Sequence, residues 1–526
     1  MNDGTEMPDS CANEKPGRIS TCCHSRYAPG AEARRHLDTS LAGKNPALVF
    51  ILGAGRNYLG QELRQTLPGV MAVVLQASTE FDTSLVDPGD LYWSPGSPYP
   101  LGTILTSALA SGKAAGGVAI IEWPPASRSC RAPLETIRGA LRVALERYAA
   151  ESATTGYWGK KWIRNCIDFV CGEGPLTLPG LASGPIVIAC AGPGLHDAIP
   201  AIKDAGESIR LWALASAHQA LVNEDLEPEL LITTDPGFWN GPHLALAARQ
   251  NTILAATPST RLGSGILDGR TAIAPVCTGL GFELDALASA GSIPAINALP
   301  YGTAAGTAVS IATTLGASPI YLCGLDLAAH GLVEHVSPYA FDQLDETIAT
   351  RLHPALTTRF HRVMDRYPDL AGAWRLSRAF SVYALDTAST ADRDDIFRIS
   401  SSPVETRLKC VPPDWIRFAS KTEGLSHIPS AEVRTFFRKM NRKARFKDMM
   451  ARLEHRASRA LDALKESEAS SVPVPRDAVL ELLAFGGKGC AAAIATAARG
   501  EADKTAMQDA ERAVRSGFRH LAGGTA

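Results

Sequence analysis

The alternation of short apolar runs with helical patterns constrains the fold of this chain most. Three such runs, at 47–52, 71–75 and 118–122, come before residue 150. A second series follows: IVIACA (186–191), RLWAL (210–214), ELLITT (229–234), TILAA (252–256) and PIYLCG (319–324). Strands that alternate with helices form parallel sheets with helices on their faces. The sequence therefore predicts two α/β units.

Length, composition and helical patterns indicate the class of protein and the bounds of its domains. The chain has 526 residues, 45% of them hydrophobic and 20% charged, as in an ordinary globular protein. TTGYWGKKWIRNCIDFV (154–170) has the pattern of one amphipathic helix, and the chain from about residue 430 is helical and basic. We predict a flexible leader (1–45), an N-terminal Rossmann-like α/β domain (46–150), a bridging helix and loop (151–184), a central α/β domain (185–425) and a C-terminal helical domain (426–526).

Charge and cysteine usage exclude several classes of protein. The formal net charge of -2 does not favour a nucleic-acid partner. Most of the 11 cysteines stand singly in apolar runs, and Cys22-Cys23-His24 has no partner pair, so we expect a reduced, cytoplasmic protein. The uncharged stretch 301–325 is rich in Gly and Thr, and we interpret it as core and not as a membrane span.

The two units differ in their glycine-rich turns. In the first, Gly53, Gly55 and Gly60 do not fit G-x-G-x-x-G, and Gln76 stands where a ribose-binding acid is expected. A structural Rossmann-like domain is the better interpretation there.

In the second unit, polar or glycine-rich residues follow four strands. Ligands of open α/β sheets bind at the carboxyl ends of the strands. A tight turn before a helix N-terminus offers backbone N–H groups to phosphate, although a simple strand-to-helix turn has the same pattern. Four such ends in one domain favour a ligand site formed by Gly192-Pro193-Gly194, Ser216, Thr234-Asp235, and Gly324 with Asp326.

Three stretches of this region carry a family resemblance: ACAGPGLHDAIPAIKDAG, LWALASAHQALVNEDLEPELLITTDPGFWNGPHL and YGTAAGTAVSIATTLGASPIYLCGLDLAAHGLVEHVSPYAFD. They resemble the motility accessory factor (Maf) glycosyltransferases, which share a domain with 6-hydroxymethylpterin pyrophosphokinase-like (MptE-like) proteins. The resemblance covers roughly residues 47–410 and is strongest over 185–340. It implies a central sialyltransferase-like domain, a variant of the GT-A fold. The implied activity transfers a nonulosonic acid of pseudaminic or legionaminic type from its CMP-activated form to Ser or Thr of flagellin.

The resemblance also implies roles for individual residues. It matches the family's glycine turn to Gly192, Pro193 and Gly194, its strand-end aspartate to Asp235, its G-x-D motif to Gly324 and Asp326, and its histidine to His335. Three positions depart from the family pattern. Gly194 replaces a serine, Ala215-Ser216 stands where an asparagine is usual, and Glu229 replaces an aspartate.

The expected chemistry is an inverting transfer that needs a base and a site for the leaving phosphate. An imidazole with a pKa near 6.5 suits the first task, so His335 is the leading candidate base and His330 the second; a surface-loop histidine is the alternative for both. Phosphate charge is assigned to backbone N–H groups at Gly192–Gly194 and at Gly302-Thr303. Asp235 and Asp326 are expected to orient the ribose, the base or neighbouring loops, with helix capping as the alternative.

No metal is expected, because the Asp-x-Asp at 392–394 follows no predicted strand. We expect no cofactor besides the CMP-activated sugar. Two other functions stay open: an ATP-dependent pyrophosphokinase of a pterin-like alcohol, which would need Mg²⁺ and carboxylates, and a non-catalytic scaffold that binds flagellin or a nucleotide.

Overall fold

The computed structural model describes residues 24–79, 86–182, 184–249, 252–299, 302–377, 393–422, 433–438, 440–470 and 472–523. Cys22, Cys23 and the predicted leader up to residue 23 lie outside these residues. The chain divides into two compact units, which are described separately. One unit combines Met1–Lys160 with Glu454–Ala526, and the other is Lys161–Leu453.

The helices, in chain order, are α1 Pro29–Ser40, α2 Tyr58–Thr66, α3 Leu101–Ala110, α4 Pro124–Ser129, α5 Arg131–Cys171, α6 Leu195–Ala205, α7 His218–Asn223, α8 Asn240–Leu244, α9 Ser264–Leu267, α10 Gly281–Ser289, α11 Ala304–Thr314, α12 Asp342–Ile348, α13 Ala355–Arg366, α14 Asp414–Thr422, α15 Arg442–Ser470, α16 Arg476–Gly486, α17 Ala491–Arg499 and α18 Lys504–Gly523.

The strands are β1 Leu48–Leu52, β2 Met71–Leu75, β3 Leu91–Trp93, β4 Val118–Glu122, β5 Leu176–Pro179, β6 Ile186–Ala189, β7 Arg210–Leu214, β8 Leu230–Thr233, β9 Ile253–Ala256, β10 Ile273–Cys277, β11 Ile296–Asn297, β12 Ile320–Cys323, β13 Ala328–His330, β14 Asp369–Ala371, β15 Trp374–Leu376, β16 Ile396–Ile399, β17 Lys409–Cys410 and β18 Val433–Phe436.

The first unit contains the predicted N-terminal α/β domain. Its described strands form a parallel sheet in the order β3-β2-β1-β4, and every residue of β1 is buried. Helix α1 buries Ala33 and Leu37 in the same core. The prediction of a flexible leader is therefore wrong for Pro29–Ser40, because these two apolar residues, four positions apart, give the helix a face to pack.

The glycine turn of this unit is covered by the chain itself. The imidazole of His24 accepts a hydrogen bond at Nε2 from the Arg56 N–H at 3.0 Å. The same ring stacks on Trp123, with ring centroids 5.1 Å apart. The Gln76 side chain donates to the Gly55 carbonyl oxygen at 2.6 Å. Gly55 has a φ of +58°, and a Cβ there would lie 2.4 Å from His24 Nε2, so only glycine fits.

The last three helices, α16 to α18, belong to this first unit and not to a separate domain, whereas α15 crosses the boundary between the two units. α18 packs on α16 and on α17, and α17 packs on the turn Lys113–Gly116. The segment Arg476–Arg499 is long and apolar enough to cross a membrane, and 56% of its most apolar 18-residue window is buried inside the protein. It is the one such segment among the described residues.

The second unit is built on a sheet of eleven described strands. The order is β17-β16-β12-β6-β7-β8-β9-β10-β5-β18, with β11 beside β10. The pairings are parallel except that of β18 with β5. Two sequence predictions change here. The loop predicted at GPLTLPG contains β5, and β18 extends the sheet into the segment predicted to be helical, because antiparallel backbone pairing with β5 stabilises both short strands.

The order of the strands has a consequence for ligand binding. From β6 the chain adds β7, β8, β9 and β10 on one side of the sheet, and then crosses back to place β12 on the other side of β6. The crossover lies between β6 and β12. Ligands of such sheets bind in the crevice outside the carboxyl ends of the strands at this point.

Candidate functional site

The carboxyl edge of the central sheet brings most of the predicted site residues into one row. Parallel neighbours β16, β12, β6, β7 and β8 end side by side, about 4.8 Å apart from strand to strand. The residues that follow them are Ser400, Gly324 with Asp326, Gly192–Gly194, Ser216, and Thr234 with Asp235. The residues that the sequence analysis took from separate strand ends thus lie along one continuous edge of the sheet.

The backbone N–H groups of the glycine turn are already bonded within the protein. Gly192 N donates to the Gly324 carbonyl oxygen at 2.9 Å, and Gly194 N donates to Asp326 Oδ2 at 2.6 Å. Pro193 has no N–H. The assignment of phosphate to Gly192–Gly194 is therefore wrong in this structure, because a carboxylate occupies the position where the phosphate oxygen was expected.

Asp326 is buried too deeply to meet a substrate. It is 1% exposed, and its Oδ1 accepts a hydrogen bond from the Ser400 hydroxyl. Burial raises the pKa of Asp326, while the hydrogen bonds from Ser400 and Gly194 oppose that rise. Of the roles predicted for Asp326, these contacts fit the orientation of a neighbouring loop, because its carboxylate accepts the Gly194 N–H at the start of α6. The capping alternative also fits, although the capped helix is α6 and not the segment that follows Asp326.

The same contact explains why residue 194 is glycine. A Cβ at Gly194 would lie 2.7 Å from Asp326 Oδ1, and a Cβ at Gly192 would lie 2.4 Å from the Gly324 carbonyl oxygen. A serine at position 194 would displace the carboxylate that bonds the turn. The packing of Asp326 against the turn therefore requires glycine at position 194, where the family pattern has serine.

Strand β16 fixes the loop that carries Asp326. Arg398, 3% exposed, donates to the Leu325 carbonyl oxygen at 2.8 Å. The Ser402 hydroxyl donates to the Asp326 carbonyl oxygen at 2.7 Å. Sequence analysis missed β16 and these residues. A signal was present in IFRIS, where an arginine interrupts an apolar run.

His335, the leading candidate base, lies beside the glycine turn. Val336 N donates to the Ala191 carbonyl oxygen at 2.9 Å, and the His335 imidazole is within hydrogen-bonding reach of the same oxygen. Burial lowers the pKa of His335 below its usual range, so the imidazole is neutral at neutral pH. With one ring nitrogen donating to a carbonyl, the other has a lone pair that can accept a proton.

An aromatic and histidine cluster joins His335 to the end of β8. The ring of Tyr339 stacks on His335 with centroids 4.2 Å apart, and its hydroxyl lies 3.4 Å from His243 Nε2. Phe341 contacts His243 and Trp239 at centroid distances of 5.0 and 5.9 Å. Burial lowers the pKa of His243 to about 4. The signal for this cluster was the FWNGPH run at 238–243, three residues after Asp235, which served only for the family resemblance.

The remaining strand-end residues are more open. Asp235 is exposed, and its Oδ1 accepts the Gly237 N–H at 2.7 Å. Thr234 is half-buried beside it, and Ser216 lies half-buried in the turn Ala215–Ala217, which contacts α8. These side chains border the crevice from the β7 and β8 side.

Gly302 and Thr303 begin helix α11, which packs on β7 and β8. The Thr303 hydroxyl accepts the Gly306 N–H at 3.0 Å, so Thr303 is the N-cap. The first turn of a helix offers N–H groups that have no partner within the helix. The contacts that bond the glycine turn do not include this second predicted phosphate position, and phosphate binding there stays a prediction.

Two other residues singled out in the sequence, His330 and Glu229, lie apart from the crevice. His330 is exposed in the small antiparallel sheet β13-β15-β14 and contacts Trp374. Glu229 pairs with Arg210 at 2.9 Å at the amino end of β7 and β8, where a cavity of about 340 Å³ opens. This cavity is at the opposite edge of the sheet from the candidate site.

The Asp-x-Asp at 392–394 forms no described metal site. Arg393 pairs with Asp395, and Asp392 lies outside the described residues. Within the described ranges, no three His, Cys, Asp or Glu side chains come together in a group that could hold a metal ion.

Comparison with known proteins bears on the domain and on the fold. The model of the family "6-hydroxymethylpterin diphosphokinase MptE-like" matches residues 176–331. An uncharacterized protein from Treponema pallidum (strain Nichols) is 28% identical over 232 residues, which is 43% of this chain and 49% of that protein. The chain thus spans about half the length of this relative.

A solved structure is similar over nearly the whole chain. The MAf glycosyltransferase from Magnetospirillum magneticum AMB-1 superposes with a TM-score of 0.51 at 12% identity, covering 96% of this chain and 84% of that one. The predicted family resemblance is confirmed at the level of domain and fold. The chain contains an MptE-like domain and has the fold of this glycosyltransferase.

Proposed function

We propose that this chain is an inverting, metal-independent glycosyltransferase that transfers a nonulosonic acid of pseudaminic or legionaminic type from a CMP-activated donor to Ser or Thr of flagellin. The observation that carries the proposal is the position of His335. The bond from Val336 N to the Ala191 carbonyl oxygen, 2.9 Å long, keeps His335 beside the glycine turn, and burial lowers the pKa of its imidazole. The fold shared with a MAf glycosyltransferase supports the reaction class.

The proposed roles follow from exposure. His335 takes the proton from the incoming hydroxyl, since its pKa is lowered and the base is unprotonated at neutral pH. The N-terminus of α11 at Gly302-Thr303 holds the departing phosphate. Asp235, which is exposed, orients the ribose or base, with Ser216 and Thr234 beside it. Gly192, Pro193, Gly194, Gly324 and Asp326 shape the crevice without touching the donor.

The setting proposed for this reaction is the cytoplasm, before flagellin is exported. The described cysteines are free, and seven of the eight are buried. Burial raises the pKa of Cys190 to about 12, so this thiol stays protonated. Such thiols suit a reducing compartment.

The test is a transfer assay with a CMP-nonulosonate and flagellin, read by the intact mass of flagellin. The change His335→Ala is expected to lower kcat by about 10²–10⁴ while donor affinity stays near that of the wild type. His330→Ala is the matched control and is expected to keep most of the activity, because His330 lies in the small sheet. Transfer by His335→Ala at the wild-type rate would contradict the proposed base.

Because the chain contains an MptE-like domain, the alternative function of a pyrophosphokinase is also to be tested. A pyrophosphokinase would need carboxylates around Mg²⁺ and a triphosphate, and Asp235 and Asp326 are the sequence candidates. Both carboxylate oxygens of Asp326 are bonded within the protein, which favours the glycosyltransferase. Diphosphate transfer from ATP to a pterin-like alcohol that EDTA abolishes and Mg²⁺ restores, without any sugar transfer, would favour the pyrophosphokinase. Binding of CMP or flagellin without any transfer would favour a scaffold.

A further inference from the structure

Ion pairs to helix α13 fasten the segment that carries His335. Arg362 Nε donates to Glu334 Oε2 at 2.6 Å, and its Nη1 donates to Asp345 Oδ2 at 3.1 Å. The side chains of Glu334 and Asp345 are 4% and 10% exposed. One guanidinium thus joins the residue before His335 to a residue ten positions after it.

Two further arginines on the same helix add to this attachment. Arg359 pairs at 3.3 Å with Asp342, whose Oδ2 accepts the Tyr339 N–H at 2.8 Å. Arg366 reaches Glu334 at 3.5 Å and is 63% exposed. Residues three or four apart share one helix face, so these arginines meet the loop together. Arg362 makes the closest contact and is the least exposed of the three.

We propose that Arg362 is a positioning residue for His335: by joining Glu334 to Asp345 it holds the imidazole against the Ala191 carbonyl oxygen, beside the glycine turn. This inference rests on the proposed function, in which His335 is the base. Arg362 itself contacts two carboxylates, so it acts through the loop. Arginine suits this place because its planar fork bonds two acceptors in fixed directions, which a lysine cannot reproduce.

Because charged groups face His335, the pKa of its imidazole gives a second measurement of the positioning role of Arg362. Glu334 favours the charged imidazole, whereas Arg362 and Arg366 disfavour it. From α8, His243 also faces His335, and its low pKa of about 4 keeps it neutral. Tyr339 stays a phenol, because burial raises its pKa. Removal of Arg362 leaves Glu334 with the longer, more exposed pairing to Arg366, and the pKa of His335 is then expected to rise.

The experiment is an NMR titration of the full chain with ¹³C-labelled histidines. The His335 signal is assigned by its loss in His335→Ala. Arg362→Gln is expected to raise the His335 pKa by roughly one unit, and Glu334→Gln to lower it. Arg417→Gln, which removes another arginine with two carboxylate partners, Asp204 and Asp414, is the control and is expected to leave it unchanged.

Arg362→Lys separates charge from position. Lysine keeps the positive charge but not the fork, so the His335 pKa is expected to stay near the wild-type value while kcat falls about tenfold at unchanged donor KM. An unmoved His335 signal in both Arg362→Gln and Glu334→Gln would overturn the proposal. If Arg362→Gln does not fold, the opposite shift in Glu334→Gln and the kcat of Arg362→Lys decide it.

The titration needs no turnover, so its failure can be told apart from failure of the proposed function. If the wild type transfers no sugar but the His335 signal responds as expected, the glycosyltransferase proposal fails and the coupling of Arg362 to His335 stands. If transfer depends on His335 but not on Arg362, only the present inference fails.

Discussion

Two glycine turns in this chain, Gly53–Gly55 and Gly192–Gly194, each follow a buried parallel strand and precede a helix. Each is covered by one of the chain's own side chains. In the N-terminal unit, the His24 imidazole accepts the Arg56 N–H at 3.0 Å. In the central unit, the buried carboxylate of Asp326 accepts the Gly194 N–H at 2.6 Å.

The two turns differ in the contacts that hold the covering side chain in place. His24 comes from the segment that precedes the sheet in the chain, and it stacks on Trp123. Asp326 comes from the neighbouring strand β12 and is bonded to Ser400 at the end of β16, so the second turn is tied to three adjacent strands. A glycine turn before a helix therefore does not by itself predict a phosphate site. The group that faces its N–H determines whether a ligand can use it.

The largest effect is expected at Asp326. Asp326→Ala leaves the Gly194 N–H and the Ser400 hydroxyl without their acceptor in a buried place, so we expect the free energy of unfolding to fall by roughly 3 kcal/mol. Asp326→Asn keeps an acceptor of the same shape and is expected to cost less than half as much. Chemical denaturation of the two variants measures the difference. Equal losses would show that the contact with Gly194 does not hold the turn.

A smaller, pH-dependent effect is expected at His24. His24→Ala removes the acceptor of the Arg56 N–H and the stacking on Trp123, which we expect to cost about 1–2 kcal/mol near neutral pH. Burial lowers the pKa of His24 in the folded protein, so its stabilising effect is complete above the unfolded pKa of about 6.5 and declines as the pH falls below it. The difference between wild type and variant is therefore expected to shrink on acidification. A difference that grows there would contradict this account of the first turn.

Sequence analysis predicted the parts of the fold that depend on local pattern. Apolar runs such as 186–191 and 319–324 became adjacent parallel strands, because a strand buried on both faces is apolar throughout. The analysis missed β5 and β16, whose four residues are too few for a clear periodicity. The leader helix α1 was missed because only two of its twelve residues are buried.

In the candidate site, too, features with a local sequence pattern could be predicted, and contacts between distant segments could not. His335 could be named from the sequence because the family resemblance includes its histidine, and its role as the base stays a prediction. The bond between Gly194 and Asp326 could not be predicted, because 132 residues separate them and the strand order decides which ends meet. The ion pairs of Arg362 were equally hidden, since arginines on an amphipathic helix usually face solvent.

A calorimetric titration of CMP into two variants tests the central claim, that donor phosphate binds at the start of α11 and not on the glycine turn. Gly302→Asp puts a carboxylate at an exposed position beside the helix N-terminus, and we expect it to weaken CMP binding at least about tenfold by repulsion. Asp326→Asn removes the negative charge at the glycine turn, and we expect CMP affinity within about threefold of the wild type. The reverse result, unchanged binding in Gly302→Asp and much tighter binding in Asp326→Asn, would place the phosphate on the turn and contradict the account.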